Sequence, residues 1–389
     1  MVRKVLQVIT LLGWSVSVFA VDSEALEIVW LTQQKVAAAA LSNLDSVPLD
    51  EGLQGAQLAI KDNNTTGRFT KQKFRLKAVR VPQSGNVENQ FNELVQQGYQ
   101  HIIVDLTADQ LAVISAAAEG KSVHIYNSSV SDDRFRGSEC RDNLLHMVPS
   151  RAMRTDALGQ YLLKKRWKKL FVVVGPTKED RDYAVALRRA AKKFGLKIVE
   201  EKNWTHTYDA RRTAQSDVPL FTRGTEYDVL VVADEQGLFG EYLEYRTWFP
   251  RPVVGTQGLV STAWHRTHEQ WGAVQLQNRF KKQTGRWMSE MDYAVWLAVR
   301  AIGEAATRSG SLEFDKIRGF MTSEQFALAG FKGKKLSFRS WNNQLRQPVL
   351  LAAARSMVAV APLPGFLHPK TMMDTLGFDR PESSCKLGN

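Results

Sequence analysis

Asp105, Asp234 and Glu235 are the side chains whose placement first suggests chemistry. Asp105 follows the apolar run Ile102-Ile103-Val104, and Asp234 with Glu235 follows Val229 to Ala233. A carboxylate at the end of a buried strand can serve as a general acid or base, bind a hard metal ion, or receive a ligand's ammonium group. Small polar residues gather at comparable places: Thr32 and Gln33; Asn127, Ser128 and Ser129; Thr177; Thr256 and Gln257. Their hydroxyls, amides and adjacent backbone N–H groups suit hydrogen bonding to a polar or anionic small molecule. Each has a competing local role, because a polar residue after a strand is also the usual cap of the next helix. Trp30, near the end of the first apolar run, adds a ring able to stack on a ligand.

Other chemical signatures are missing from the sequence. No G-x-G-x-x-G follows the first strand, and no phosphate-binding G-x-x-x-x-G-K-[ST] occurs. There is no G-x-S-x-G nucleophile elbow, no C-x-x-C and no H-E-x-x-H. His265 and His268 lie three apart on a predicted helix, but two imidazoles without a carboxylate make a poor metal site. The expectation is therefore binding rather than catalysis, with no cofactor and no metal.

The elements that position these residues alternate between strand and helix. Strands are predicted over 26–31, 74–81, 102–104 and 123–126, with helices over 50–63, 87–97 and 108–119 between them. The run Asn63-Asn64-Thr65-Thr66-Gly67 reads as the stop of the first helix. The order then repeats: helix 152–165, strand 170–174, helix 180–194, strand 197–201, strand 229–232, helix 237–245 and strand 253–255. The spacing from Asp105 to Asn127 equals that from Asp234 to Thr256, with one predicted helix inside each interval. The lead-ins LVQQGY and LFTRGTE also echo one another. This predicts an α/β protein of two doubly wound parallel-sheet lobes of the same topology, joined by a multi-strand hinge. Such sheets bind ligands outside the carboxyl ends of their strands, so two facing lobes enclose a cleft lined by the residues named above.

The 389 residues are long for one domain. Residues 1–20 read as a secretory signal peptide: Arg3 and Lys4, an apolar run to Phe19, and a small residue, Ala20, at the cut. The remainder divides into lobe 1 over 21–149, lobe 2 over 150–260, a return to lobe 1 over 261–325, lobe 2 strands over 326–362 and a tail over 363–389. Crossings between lobes are expected near 147–151 and 260–264, with a third unplaced. Long helices are predicted over 264–284 and 292–307. The net charge of +12 is scattered along helix faces, which argues against a nucleic-acid partner. Cys140 and Cys385 are the only cysteines, and in an exported protein that even count predicts a disulfide.

The segment DEGLQGAQLAIKDNNTTGRF resembles the first helix of type I periplasmic solute-binding proteins of ABC transporters, the branched-chain amino acid receptor superfamily. A narrower likeness runs through CRDNLLHMVPSRAM, YLLKKRW, YDVLVVADE, EYRTWFPRPVVGTQGL, TAWHRTHEQWGAVQLQNRF, DYAVWLAVRAIGEAATR and LSFRSWNNQLRQPVLLA. These resemble the binding proteins found with PQQ-dependent alcohol dehydrogenase systems. The resemblance implies a monomeric periplasmic receptor that passes a small molecule to an inner-membrane ABC permease in cells oxidising alcohols with a quinoprotein dehydrogenase. A sensor or accessory partner of that dehydrogenase is the alternative. The loop Trp30 to Lys35 lacks the Gly- or Ser-rich character usual after the first strand of amino acid receptors, so amino acid binding is not carried over.

Overall fold

The computed structural model describes residues 25–35, 48–205 and 210–387; the expected signal peptide lies outside them. The first half contains β1 (Ala25–Gln33), α1 (Leu53–Thr70), β2 (Lys73–Val81), α2 (Val87–Gln96), β3 (His101–Asp105), α3 (Ala108–Ala117), β4 (His124–Asn127) and β5 (Leu144–His146). The strands form one parallel sheet in the order β2-β1-β3-β4-β5. Both faces of β1 are covered: Ile28 and Trp30 enter one core, Val29 and Leu31 the other. Burial on two sides is why this strand reads as a continuous apolar run rather than an alternating one.

The second half opens with α4 (Arg151–Lys165), β6 (Lys169–Val174), α5 (Lys178–Phe194), β7 (Lys197–Asn203), α6 (Ala210–Thr222), β8 (Val229–Ala233), α7 (Gly240–Leu243), β9 (Val253–Gly255) and β10 (Leu259–Thr262). Its parallel strands run β7-β6-β8-β9-β10, which is the order of the first sheet strand for strand. Thus β3 and β8 occupy equivalent places, and so do β4 and β9. The mixed α/β class and the repeated topology stand as expected.

The chain then continues as α8 (Ala273–Thr284), α9 (Glu290–Ser309), α10 (Phe314–Met321), β11 (Leu328–Ala329), β12 (Lys335–Phe338), β13 (Leu345–Arg346), β14 (Val349–Ala353) and β15 (Ser356–Ala361). Helices α8 to α10 bury their apolar faces in the core shared with β1 and α1. Contact between α1 and α9 is close enough that a Cβ on Gly55 would lie 2.0 Å from the Asp292 carbonyl oxygen. β14 and β15 extend the second sheet antiparallel. The strands expected in lobe 2 from residue 326 therefore divide. β11 to β13 form a small separate sheet whose Leu328, Leu336, Phe338 and Leu345 pack in the lobe 1 core, and only β14 and β15 join the second sheet. Their apolar residues find the α9 face first, because the chain does not cross until after Arg346.

Two helix predictions are corrected. The Asn-rich run does not stop α1, because its side chains find tertiary partners instead of competing for the helix backbone. Asn63 donates to the Val299 carbonyl on α9, and Asn64 both donates to and accepts from the backbone of Phe74. Conversely, 264–272 is turns rather than helix, and α8 begins only after Gly272, which has φ of 83°. His265 and His268 consequently do not share a helix face. His265 pairs with Thr267 and His268 with the Phe331 carbonyl.

Among the described residues no helix is long and apolar enough to cross a membrane. Cys140 and Cys385 are bonded, closing a loop of 245 positions. Loop-closure entropy assigns such a bond about 5 kcal/mol, and measured values often fall nearer 2. The double substitution Cys140→Ser with Cys385→Ser should lower the unfolding free energy by about 2–5 kcal/mol in urea titration, and an unchanged midpoint would contradict this.

Candidate functional site

The carboxyl ends of the lobe 2 strands form one wall of a cavity of about 470 Å³, a size suited to a small ligand. Asp234, Glu235, Thr256 and Gln257 all border it. Asp234 is buried, and its carboxylate accepts the backbone N–H groups of Leu238, Phe239 and Gly240 at 2.9, 2.8 and 2.7 Å. It holds the turn leading into α7, with both of its oxygens engaged. Thr256 accepts the Asp234 N–H at 2.9 Å. Glu235 forms a two-pronged ion pair with Arg151, at 2.7 and 2.6 Å. Burial opposes the Arg151 charge, but Glu235, Asp132 and Asp182 outweigh it and hold the guanidinium protonated.

Lobe 1 contributes Ser131 and Glu290 to the same cavity. Glu290 starts α9, which the capping box of Ser289 and Asp292 fixes in place. Its Oε1 receives Arg154 Nη2 at 2.8 Å, while Arg154 Nη1 donates to the Ser261 carbonyl at 2.8 Å. Three polar atoms of cavity-lining residues have no partner: Tyr183 Oη, Ser261 Oγ and Arg154 Nε. Tyr183 is only 3% exposed, and burial together with the nearby Glu235 charge raises its phenol well above the usual range. All three are sealed behind the cavity wall, out of reach of a water-sized molecule inside it.

The lobe 1 residues expected in the site do not reach this cavity. Asp105 accepts the Thr32 hydroxyl at 3.2 Å and the Lys35 ammonium at 2.8 Å. Glu51 lies close enough to feel it: burial chiefly, then Asp292 and Asp105, raise the Glu51 carboxyl above its usual range. Gln33 spends its amide on the carbonyls of Pro82, Gln83 and Gly85. Asn127 is fully buried and turns its own loop, accepting the N–H groups of Ser129 and Val130 and donating to the Val130 carbonyl. Ser128 donates to the Val104 carbonyl, and Ser129 exchanges bonds with both backbone groups of Leu106. Trp30 is not at a strand end, since β1 runs on to Gln33, and the ring is buried against Gly52 and the α1–α9 core. Thr177 caps α5 by accepting the Asp180 N–H. Ser131, Arg154, Tyr183, Ser261, Thr262 and Glu290 were missed by the sequence reading because they lie a few residues beyond a strand-end loop, within or at the start of helices, or on the short β10, not on the predicted strand ends.

A larger cavity of about 620 Å³ lies at the amino ends of β1 and β3, lined by Glu27, Tyr99, His101 and Glu313 among others. It faces away from the carboxyl ends at which doubly wound sheets bind ligands. Among the described residues no group of three or more His, Cys, Asp or Glu side chains is arranged to hold a metal ion.

Three segments cross between the sheets: 147–150 after β5, 262–264 after β10, and 347–348 between β13 and β14. The last is the crossing that the sequence left unplaced. The first and third are laced together. Gln347 donates to the Met147 carbonyl at 2.6 Å, and Gln344 to those of His146 and Val148. Buried Arg136 spends its donors on the Val130, Asp132 and Val148 carbonyls and on Gln344 Oε1. Burial pushes its guanidinium down to about 9, against the pull of Asp133 and Asp132. His146 donates from Nε2 to Phe135 O and accepts at Nδ1 from Asn127, so its neutral form fits and burial, then Arg136, hold its pKa far below normal.

A family model described as "Periplasmic binding protein" matches residues 46–215. No curated protein matches the chain. Among solved structures, a periplasmic binding protein from Burkholderia mallei is 14% identical with a TM-score of 0.70, covering 94% of this chain and 99% of its own. A branched-chain amino acid ABC transporter periplasmic ligand-binding protein from Burkholderia xenovorans is 15% identical with a TM-score of 0.73, covering 94% and 100%. An ABC transporter solute-binding protein from R. palustris, in complex with benzoate, is 12% identical with a TM-score of 0.68, again covering 94% and 100%. At these identities the likeness establishes the fold: the chain has the type I periplasmic binding protein architecture.

Two outcomes follow from the site geometry. Asp234→Ala strands three backbone N–H groups and should cost about 1–3 kcal/mol of stability, read by urea unfolding. Because His146 is held neutral in the folded protein, its contribution is complete above the unfolded value near 6.5 and is lost as pH falls below it. Stability should drop by about 1.4 kcal/mol per pH unit for each such histidine, so equal unfolding free energies at pH 7 and pH 5 would refute this reading.

Proposed function

We propose that the protein is a periplasmic solute-binding receptor. It captures a small polar molecule between its lobes and presents it to an inner-membrane ABC permease. The observation that carries this reading is the cavity itself. Both lobes line it, and it sits beside the crossings. A ligand that touches both walls stabilises the closed arrangement by its differential affinity for it. The matched family model and the three receptor-like structures support the same reading. In this proposal the protein binds and does not catalyse, since Asp234 and Glu235 are committed to backbone N–H groups and to Arg151.

The link to PQQ-dependent alcohol oxidation rests on the resemblance of its sequence segments alone, and makes alcohol-derived compounds the first ligands to try. On this reading the mature chain acts as a monomer outside the inner membrane. Purified protein should be screened by thermal shift against short alcohols, aldehydes, acids, amino acids and PQQ. A true ligand at one hundred times its dissociation constant adds about 2.7 kcal/mol of stability, and X-ray scattering should report a smaller radius of gyration with it bound. Turnover of the bound compound, or binding with no change in shape, would count against the proposal.

A further inference from the structure

Basic residues that lie far apart in the sequence meet at one end of the second sheet. Lys164, Lys165 and Arg166 close α4, and Lys168 and Lys169 lead into β6. The register puts Lys169 beside Lys197, the first residue of β7. Pairing continues through β8 and β9 to β10, so Arg251, two residues before β9, stands at the same end. β14 runs antiparallel to β10, which brings the turn carrying Arg355 there too. All of these residues are exposed. Few acids answer them. Among the described residues Lys164, Arg166, Lys168 and Lys169 form no ion pair. Asp228 Oδ2 is spent on the backbone N–H groups of Lys168 and Lys169, both at 2.8 Å, and Glu226 comes only within 3.8 Å of Arg251.

A groove of about 570 Å³ opens at this end, with Arg251 in its wall. Its apolar lining includes Trp167, Tyr245, Pro252, Leu259 and Val358. Among its described lining residues Glu244 alone is acidic. Lys165 lies over the Tyr161 ring of the same groove, 5.6 Å from its centre. Tyr245 is 96% exposed and sits at φ of 65°, so its loop carries an aromatic ring that nothing in the fold covers.

Unpaired lysines beside exposed rings suit a layer of phosphates better than a second folded protein. Lysine is depleted at protein–protein interfaces, where arginine is favoured. Ammonium groups on flexible stems can follow a fluid array of headgroups, and Trp and Tyr settle at headgroup level. We propose that this end of lobe 2 docks on an anionic phospholipid surface, with its lysines on the phosphates and Tyr245 and Trp167 among the headgroups. The cavity between the lobes lies at the opposite, carboxyl ends of these strands, so the docked end does not cover it. For a periplasmic receptor the surface met is the outer leaflet of the inner membrane, where its permease resides. The docking itself needs no ligand and goes beyond the receptor reading.

The test is co-sedimentation of the purified mature chain with vesicles of phosphatidylcholine alone and of an equimolar mixture with phosphatidylglycerol. The chain should bind the mixed vesicles in low salt, release them in high salt and ignore the uncharged ones. Each lysine near an anionic surface contributes about fivefold, so Lys164→Gln, Lys165→Gln and Lys168→Gln together should weaken binding on the order of a hundredfold. The same change at Lys71, Lys282 and Lys316, exposed residues of lobe 1, should weaken it several-fold at most. Tyr245→Asn, which tolerates the same left-handed backbone, should also weaken it several-fold. No binding to the mixed vesicles in low salt overturns the proposal. Equal losses in the two triple variants overturn it as well, because they trace binding to the charge of the whole chain. Capture of soluble polyglutamate through the same three lysines, without vesicle binding, points to an acidic protein and overturns the lipid assignment. None of these results bears on ligand binding in the cleft, which the thermal-shift screen reads separately.

Discussion

Arg136 carries its guanidinium into the region where the two lobes meet, and the crossing segments are arranged around it. A charge so deeply placed is tolerated only if it is densely hydrogen-bonded, because unpaired burial costs several kcal/mol. Here its bonds go to four groups, of which Val148 lies on the first crossing and Gln344 just ahead of the third. Gln344 then passes the constraint on through its own amide to the backbone of His146 and Val148. The hinge is thus a hydrogen-bonded seam rather than a slack linker.

The same economy governs the cleft. Nearly every charged group that faces it is engaged by another part of the chain, and the polar residues of the lobe 1 strand ends serve their own loops.

Much of this architecture was legible in the sequence. The repeated spacing from Asp105 to Asn127 and from Asp234 to Thr256 reflected strands that hold equivalent places in two sheets of one topology. The continuous apolar runs of β1, β3 and β8 marked strands buried on both faces. What failed did so where distant contacts overrode local preference. Asn63 and Asn64 stay helical because α9 and β2 satisfy their amides, and no local pattern reveals that. β5 and β10 are only three and four residues long, too short for periodicity to register. The site was half legible. Strand-end position found Asp234, Glu235, Thr256 and Gln257, but Tyr183 and Arg154 lie on helices where they resemble ordinary surface residues. Asn127 and Ser128 serve the turn and the strand beside it.

The tail adds a fourth physical link between the halves. Gly377 is anchored on lobe 2, with its N–H on Asp156 and its carbonyl on Arg189, while Cys385 is bonded to Cys140 in lobe 1. The short stretch between them acts as a strap of fixed reach. An extended chain spans at most about 3.6 Å per residue, so the separation of Gly377 and Cys385 is capped by the stretch that joins them. Breaking the one covalent bond would free the lobe 1 end of this cord and leave its lobe 2 knot, on Asp156 and Arg189, still tied.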